Sequence, residues 1–340
     1  MSSAPGEGFQ GNGPGGISGN VLEVRDLSVE YLLERGTVLA VDRVSFDLAA
    51  GEFIGIVGES GCGKSTLLFA IAQLLVPPAE ITNGRVVFKG RNMVGLTDKE
   101  MTAVRWRDLS VVMQSAMNAL NPVKSIGAQF SDAMRAHGVA SKGEIAERSA
   151  EVLKMVGIDP VHLKSYPHQL SGGMRQRSMI AMAMLFTPDL IIMDEPTSAL
   201  DVVAQRSLMV QIKELQLEFG FAVIFVTHDM SLISHFSDRL MVMYAGQVAE
   251  LGVTKNIFDR PLHPYTQGLL EAFPSIRGPR VPLKGIPGNP PDLSRVPAGC
   301  RFRPRCPYAI EKCAELAPDL YPLDGELVRC LRRADGSLPS

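Results

Sequence analysis

The chain has 340 residues, enough for one large domain or two modest ones with a sizeable hydrophobic core. Its hydrophobic share of 46% and charged share of 21% are ordinary for a soluble globular protein, and a net charge of −2 argues against a nucleic-acid partner, which usually demands a basic face. The most apolar segment, 179–193, is interrupted at Thr187-Pro188-Asp189, so it falls short of the run of about 18 apolar residues that crosses a bilayer. We therefore expect a soluble chain that reaches a membrane only through a partner.

The first segments along the chain predict a leader followed by strands. Residues 1–19 are rich in glycine and serine without periodicity, which predicts a disordered leader, and they lack the basic and apolar regions of a signal peptide. Alternating residues at 21–24 and 44–48 predict half-buried strands. The short apolar run Phe53–Val57, bounded by a glycine, predicts a buried strand.

The segment after this buried strand, Gly58–Ser65, matches the phosphate-binding pattern G-x-x-x-x-G-K-[ST], and a helix is predicted from Lys64 to Leu75. The glycines allow successive backbone N–H groups to surround phosphate oxygens, while Lys64 would reach the β- and γ-phosphates and Ser65 would ligate Mg²⁺. A chance glycine-rich turn is the alternative, and the flanking strand and helix argue against it. The nucleotide-binding residues predicted in this segment are Gly58, Ser60, Gly61, Cys62, Gly63, Lys64, Ser65 and Thr66, with Cys62 as a small filler rather than a reactive thiol.

Helices and further apolar strands are predicted along the rest of the first 226 residues. Residues 97–165 are predicted to be mostly helical, with the clearest amphipathic pattern at 144–153. Two apolar strands follow at 190–193 and 222–226, separated by a helix at about 202–219. Alternation of strands and helices predicts a largely parallel sheet covered on both faces, which is an α/β fold.

Two acids, Asp194 and Glu195, follow the first of these apolar strands. An acid pair at the carboxyl end of a buried strand is placed to hold Mg²⁺ through Asp194 and to polarise a water molecule through Glu195. A surface pair is the alternative, and it is disfavoured because four apolar residues precede the acids.

The segment Leu170-Ser171-Gly172-Gly173-Met174 resembles the signature motif of the ATP-binding-cassette (ABC) ATPases, with methionine where many members have glutamine. In that family the signature serves the nucleotide held by a second subunit, so that two chains enclose two ATP molecules head to tail. The resemblance therefore implies that Ser171, Gly172 and Gly173 complete a site in a partner. It also implies that hydrolysis is gated by closure of the pair.

Four other positions resemble elements of the same family and imply one role each. Tyr31 resembles the aromatic residue that stacks on adenine, with a simply packed strand tyrosine as the alternative. Gln114 resembles the Q-loop glutamine that senses Mg²⁺ and couples to the transporter, although Ser115-Ala116 follows it where members commonly have Asp-Pro. Asp201 resembles the D-loop aspartate and His228 the switch histidine. The catalytic residues that the resemblance implies are Glu195 as general base, His228 and Lys64.

The resemblance implies an ABC ATPase core in residues 20–260, with an N-terminal antiparallel β subdomain and a helical signature subdomain at about 115–175. It implies ATP and Mg²⁺ as cofactors, with Ser65, Gln114 and Asp194 around the Mg²⁺. Beyond Arg260 the composition becomes rich in proline, which predicts a boundary and a small irregular appendage at 261–340.

The appendage contains four of the five cysteines, Cys300, Cys306, Cys313 and Cys330. Disulfides are disfavoured because an ATPase faces the reducing cytosol. A zinc site and unligated thiols both stay open, although the C-x(2–4)-C knuckle usual for zinc is absent. The segments 263–266 and 299–307 resemble the oligopeptide/dipeptide permease branch of the family, and that branch implies a [4Fe–4S] cluster on the four cysteines.

The branch implies the motor subunit of an importer for di- or oligopeptides, with oligosaccharide or nickel uptake as alternatives. It implies a peripheral position on the cytoplasmic face of a bacterial or archaeal inner membrane. A soluble ABC protein of translation or DNA repair is the rival from another class, but two cassettes or a long coiled-coil insertion would then be expected. The implied partners are a second, related ATP-binding subunit in a heterodimer, two transmembrane permease subunits and, indirectly, an extracytoplasmic solute-binding protein.

Overall fold

The computed structural model describes residues 19–34, 36–113, 119–197, 200–272 and 285–338. These residues fold into two compact units. The helical unit is built on Thr97–Val223, and the P-loop unit comprises Leu22–Leu48, Glu52–Leu96 and the chain from Ile224 onwards. All of the predicted leader except Gly19 lies outside the described residues, as do Gln114 and two residues of the D-loop segment.

Strands and helices follow one another along most of the described chain. The strands are β1 (Asn20–Leu33), β2 (Gly36–Ala49), β3 (Phe53–Val57), β4 (Ala79–Phe88), β5 (Arg91–Asn92), β6 (Leu109–Val112), β7 (Leu190–Asp194), β8 (Ala222–Val226), β9 (Arg239–Tyr244), β10 (Gln247–Val253), β11 (Tyr321–Leu323) and β12 (Glu326–Val328). The helices are α1 (Lys64–Ile71), α2 (Asp98–Val104), α3 (Ile126–Ala136), α4 (Lys142–Met155), α5 (Gly172–Ala183), α6 (Val202–Phe219), α7 (Met230–Phe236), α8 (Thr254–Asp259), α9 (Pro264–Glu271), α10 (Lys312–Glu315) and α11 (Leu331–Ala334). None of these helices is long and apolar enough to span a bilayer.

Two sheets organise the P-loop unit. One has the order β2-β1-β4-β5, with β4 antiparallel to both β1 and β5. The other runs β11-β12-β10-β9-β3, in which β3 and β9 are parallel and the remaining pairs are antiparallel. Every residue of β3 is buried, and Phe53 meets Phe225 edge to face with ring centroids 6.0 Å apart. This apolar centre fixes the carboxyl end of β3, where the P-loop begins.

In the helical unit, β6 and β7 pair in parallel, and each of the main helices begins at a side-chain cap. The capping oxygens of Ser125, Ser141, Ser171 and Asp201 accept a backbone N–H from the third residue that follows each of them. Such caps satisfy donors that the first helical turn otherwise leaves without partners. The same device therefore sets the first residues of α3, α4, α5 and α6.

The structure departs from the sequence predictions at three places. The helix after the P-loop ends at Ile71 rather than Leu75, because Gln73 takes a positive φ of 53°. The stretch 97–165 is interrupted by the short buried strand β6. In the appendage, which is predicted to be irregular, β12 pairs with β10 and extends the sheet of the P-loop unit.

Candidate active site

The P-loop lies directly between β3 and α1, and its glycines hold conformations that other residues rarely adopt. Gly58, Gly61 and Gly63 have φ values of 152°, 75° and 101°. A Cβ atom on Gly58 would lie 2.2 Å from the Met243 carbonyl oxygen, and one on Gly63 would lie 2.2 Å from the carbonyl oxygen of Ala40. Backbone packing therefore demands glycine at both positions, independently of any phosphate.

Lys64 turns back onto the loop that precedes it. Its Nζ atom donates to the carbonyl oxygens of Gly58 and Glu59 at 2.8 and 2.9 Å and approaches the Cys62 sulfur at 3.7 Å. Burial raises the pKa of the Cys62 thiol, which disfavours the reactive thiolate form. Because Ser60, Gly61 and Ser65 are exposed, the outer side of the loop is accessible to a ligand.

The first turn of α1 begins at Gly63 without a side-chain cap. The partial positive charge of this helix N-terminus is therefore available to a phosphate. Tyr31, half-buried on β1, places its hydroxyl 3.1 Å from the hydroxyl of Thr66 on α1. The structure thus brings Tyr31 beside the P-loop helix, and the stacking role predicted for its ring stays a prediction.

His228 belongs to the same unit and follows β8. Its side chain is exposed, and the residues on either side fix the local backbone. The Thr227 hydroxyl accepts the Asp229 N–H at 3.1 Å, and the Asp229 carboxylate caps α7 through the N–H of Ser231 at 2.8 Å. The P-loop unit therefore contains Tyr31, the whole P-loop and His228.

The helical unit contains the acid pair and the signature. Asp194 is the last residue of β7 and is buried, whereas the half-buried Glu195 follows with a φ of 45°. Ser171 caps α5 by accepting the Met174 N–H at 3.3 Å, and Asp201 caps α6 by accepting the Ala204 N–H at 2.9 Å.

Signature and D-loop residues share one open cavity of about 330 Å³. Its lining includes Ser171, Gly173, Met174, Leu200 and Ala204. A Cβ atom on Gly173 would have no heavy atom within 4 Å, so the backbone of the signature faces free space. An open, partly polar surface of this kind suits a group supplied from outside the unit.

The four cysteines of the appendage converge on one pocket of the P-loop unit, which His263 and Phe302 also line. Burial raises the pKa of the thiols of Cys300 and Cys330, and that of Cys306 to about 11. Burial also lowers the pKa of His263 to about 3, which keeps its ring neutral. Among the described residues, no group of three or more His, Cys, Asp or Glu side chains has the geometry to hold a single metal ion.

The sequence analysis did not find the residues that join the appendage to the P-loop. Arg305 forms a two-pronged ion pair with Glu59, at 2.6 and 2.8 Å, and the Tyr265 hydroxyl accepts the Glu59 N–H at 2.9 Å. Glu59 is a variable position of the phosphate-binding pattern, and Arg305 stands in a run that draws attention to its cysteines. No local pattern links the two residues, because charged side chains are common at both kinds of position and only burial sets this pair apart.

A buried strand, a glycine-lysine loop and an uncapped helix N-terminus together define a P-loop nucleotide-binding protein. Residues 41–198 match a family model described as ABC transporter, and the chain is 46% identical to the dipeptide transport ATP-binding protein DppD of Bacillus subtilis, over 88% of this chain and 90% of that protein. The chain belongs to the family of ABC transporter ATP-binding proteins, which are ATP-hydrolysing cassettes.

Further similarities cover the appendage and the fold. Residues 249–313 match a model described as oligopeptide/dipeptide transporter, C-terminal region, and residues 163–234 also match one described as AAA domain, putative AbiEii toxin. The oligopeptide transport ATP-binding protein OppD of Escherichia coli is 42% identical over 92% of this chain and 93% of its own length. A dimeric, post-hydrolysis structure of the cassette MJ0796 with ADP and Pi aligns at a TM-score of 0.62 and 30% identity, over 68% of this chain and 98% of that one.

Proposed function

We propose that this chain hydrolyses ATP to power the import of dipeptides or oligopeptides through a membrane permease. The observation that carries the proposal is the joining, in one chain, of a P-loop and a signature serine to an appendage of the oligopeptide/dipeptide transporter type. The relatives named above carry dipeptide and oligopeptide transport in their names. ATP binding alone would need no signature, and a soluble cassette would need no such appendage.

In the proposed chemistry, each site residue has one role. Lys64 leaves the two carbonyl oxygens that it now contacts and binds the β- and γ-phosphates. Glu195 accepts a proton from the attacking water, and His228 holds the γ-phosphate and that water. The proposed nucleotide-contacting residues also include Tyr31 at the adenine, and the proposed Mg²⁺ ligands are Ser65, Gln114 and Asp194.

A second, related ATP-binding subunit completes the proposed machinery. The open cavity at Ser171 supports this, because the signature offers a hydroxyl and accessible backbone to a group from another chain. In the proposed assembly, two different ATP-binding chains close on ATP and drive two permease subunits, which a solute-binding protein supplies. The chain then lies peripherally on the cytoplasmic face of the inner membrane.

Transport in proteoliposomes tests the proposal. The chain is reconstituted with its cognate permease subunits, a second ATP-binding subunit and the cognate solute-binding protein, and uptake of a labelled dipeptide and a labelled pentapeptide is measured with and without ATP. ATP-dependent uptake of either peptide supports the proposal. Uptake of only an oligosaccharide or nickel in the same vesicles contradicts it, and mass spectrometry of the ligand retained by the solute-binding protein identifies the true cargo.

For the four-cysteine pocket we propose a [4Fe–4S] cluster with a structural role. Four cysteine thiols line one pocket, which is the ligand set of a [4Fe–4S] cluster. Bound iron would hold the four sulfurs as thiolates. Anaerobically purified protein is expected to be brown and to contain about four irons per chain. Colourless protein with stoichiometric zinc contradicts this proposal.

A further inference from the structure

Glu59, the second residue of the P-loop, has each of its polar groups held by a different partner. Its N–H donates to the Tyr265 hydroxyl at 2.9 Å, and its carbonyl oxygen accepts from Lys64 Nζ at 2.9 Å. Its carboxylate oxygens accept from the two terminal nitrogens of Arg305 at 2.6 and 2.8 Å. A residue fixed at three points has little freedom, so these partners determine where the loop runs.

Arg305 is itself fixed within the appendage. Its side chain is only 4% exposed, and its Nε atom donates to the Pro287 carbonyl oxygen at 2.8 Å. The guanidinium lies 5.8 Å from the centre of the Tyr244 ring. Arg305 ends a short 3₁₀ turn, Arg303–Arg305, that lies between the pocket cysteines Cys300 and Cys306. Its position therefore follows from that of the cysteine pocket.

A second route reaches the P-loop from the same segment. Arg301 is buried and donates to the Asp42 carboxylate and to the carbonyl oxygen of Ala245, in the turn between β9 and β10. The next residue, Gly246, donates its N–H to the carbonyl oxygen of Cys62 at 2.9 Å. Two arginines of the segment 300–306 thus support the loop at Glu59 and at Cys62.

We propose that Arg305 is a positioning residue for the nucleotide site: through its ion pair with Glu59, the cysteine-containing appendage fixes the backbone of the P-loop on which the nucleotide binds. The proposal rests on the proposed nucleotide-binding function. Arg305 touches no phosphate in this mechanism and acts through Glu59, whose carboxylate and N–H stay held by Arg305 and Tyr265 when Lys64 moves to the phosphates. Loss of order in the appendage would then lower nucleotide affinity without altering any phosphate-binding residue.

The test measures the affinity of the full chain for ADP with Mg²⁺ by titration calorimetry. Arg305→Gln is expected to weaken ADP binding by about tenfold, because the Glu59 carboxylate loses a charged, two-pronged partner. Arg303→Gln is the matched control: it lies in the same turn and also lines the cysteine pocket, but its side chain forms no ion pair with any residue that the structure describes. The control is expected to bind ADP as the wild type does.

A second variant and a second readout separate positioning from a general loss of folding. Glu59→Gln removes the pair from the loop side and is expected to match Arg305→Gln, and the double variant is expected to lose little more. Hydrogen exchange should speed up in peptides covering residues 58–66 of Arg305→Gln but not of Arg303→Gln. Melting curves and iron or zinc content report whether the appendage stays intact.

The outcomes are distinct. Wild-type protein that fails to bind ADP overturns the proposed function itself. If the wild-type protein binds ADP and both Arg305→Gln and Glu59→Gln bind it with the same affinity, only the positioning role is overturned. An equal loss in Arg303→Gln also overturns it, because the effect would then belong to the turn rather than to the ion pair.

Discussion

Glu195 follows β7 with a φ of 45°, a left-handed conformation that is uncommon outside glycine. Residues held in such conformations collect at active sites, where the surrounding structure imposes them. Glu195→Gln keeps the size of the side chain and removes the proton acceptor. Turnover is therefore expected to fall by at least about a hundredfold while ATP still binds. Steady-state ATPase rates and nucleotide titration of the same preparation measure the two effects.

The control for Glu195 is Glu214→Gln, on an exposed face of α6, which removes the same charge from the same unit. It is expected to leave turnover unchanged. Near-normal turnover of Glu195→Gln would mean that another group accepts the proton, and equal losses in both variants would point to charge rather than to catalysis.

Glu326 makes stability depend on pH. Burial and the neighbouring Glu250 carboxyl raise its pKa from 4.5 to about 7, and Glu250 accepts the N–H groups of Leu262 and His263 with its two oxygens. Between those pH values the unfolded state ionises while the folded state keeps its proton. The free energy of unfolding is therefore expected to decrease as pH rises through this window, by at most about 1.4 kcal/mol per pH unit.

Urea unfolding between pH 5 and 8 measures this dependence. Glu326→Gln cannot ionise, so it is expected to flatten the slope and to gain stability over the wild type at pH 8. Glu315→Gln, an exposed residue of α10, serves as the control and should keep the wild-type slope. An unchanged slope in Glu326→Gln would assign the dependence to another group.

At the residue scale, the sequence could predict features that depend on neighbouring residues in the chain, but not contacts between residues far apart in the chain. The P-loop glycines were predictable because their pattern is contiguous and their backbone geometry is a local property. The pairing of Glu59 with Arg305 was not, since 246 positions separate the two residues and neither belongs to a periodic pattern. Long-range ion pairs of this kind depend on packing, which a single sequence does not display.

At the scale of elements, predictability depended on length and on flanking signals. The buried strands β3, β7 and β8 carry apolar runs bounded by glycine or acids, and their positions were predicted to within a residue. The strand β6 was not predicted within a stretch expected to be helical, because a run of four residues has no distinct periodicity. Its partner β7 is distant in the chain, with Leu109 paired to Leu190, so only the fold reveals the strand.

At the N-terminus of α5, the contribution of Ser171 to helix stability can be distinguished from its proposed role in ATP hydrolysis. Ser171 and Ser141 cap α5 and α4 in the same way, each accepting the N–H of the third following residue at 3.3 Å. Ser171→Ala and Ser141→Ala are therefore both expected to lower the free energy of unfolding by about 1 kcal/mol. Only Ser171→Ala is expected to lower the ATPase rate of the assembled transporter, by about tenfold or more, because only that serine is proposed to contact the nucleotide of a partner.

Urea unfolding of the two isolated variants and ATPase rates of the two assembled complexes provide the comparison. Equal ATPase losses in both variants would show that capping alone explains the effect. Full activity with Ser171→Ala would remove the signature serine from the proposed site.

At the scale of the whole chain, composition predicted the change near Arg260 but not what the appendage does. The proline-rich segment indicated a region with little core of its own, and the family resemblance drew attention to its cysteines. The structure adds that β12 pairs with β10 and that Arg301 and Arg305 are buried against residues of the P-loop unit. The appendage therefore packs around the nucleotide loop. Composition alone places a domain boundary between the two.

Pairing with a different subunit leads to the last prediction. Lys64→Ala inactivates the phosphate loop of its own chain, and Ser171→Arg blocks the signature that serves the partner. If two copies of this chain formed the working pair, a mixture of the two variants would rebuild one complete site in each mixed dimer. The heterodimer proposal predicts no recovery in the mixture, whereas addition of the cognate second ATP-binding subunit is expected to raise wild-type turnover by about tenfold or more. ATPase rates of the variants, alone, mixed at equal concentration and with that subunit, decide between the two arrangements, and recovery in the mixture would establish a homodimer instead.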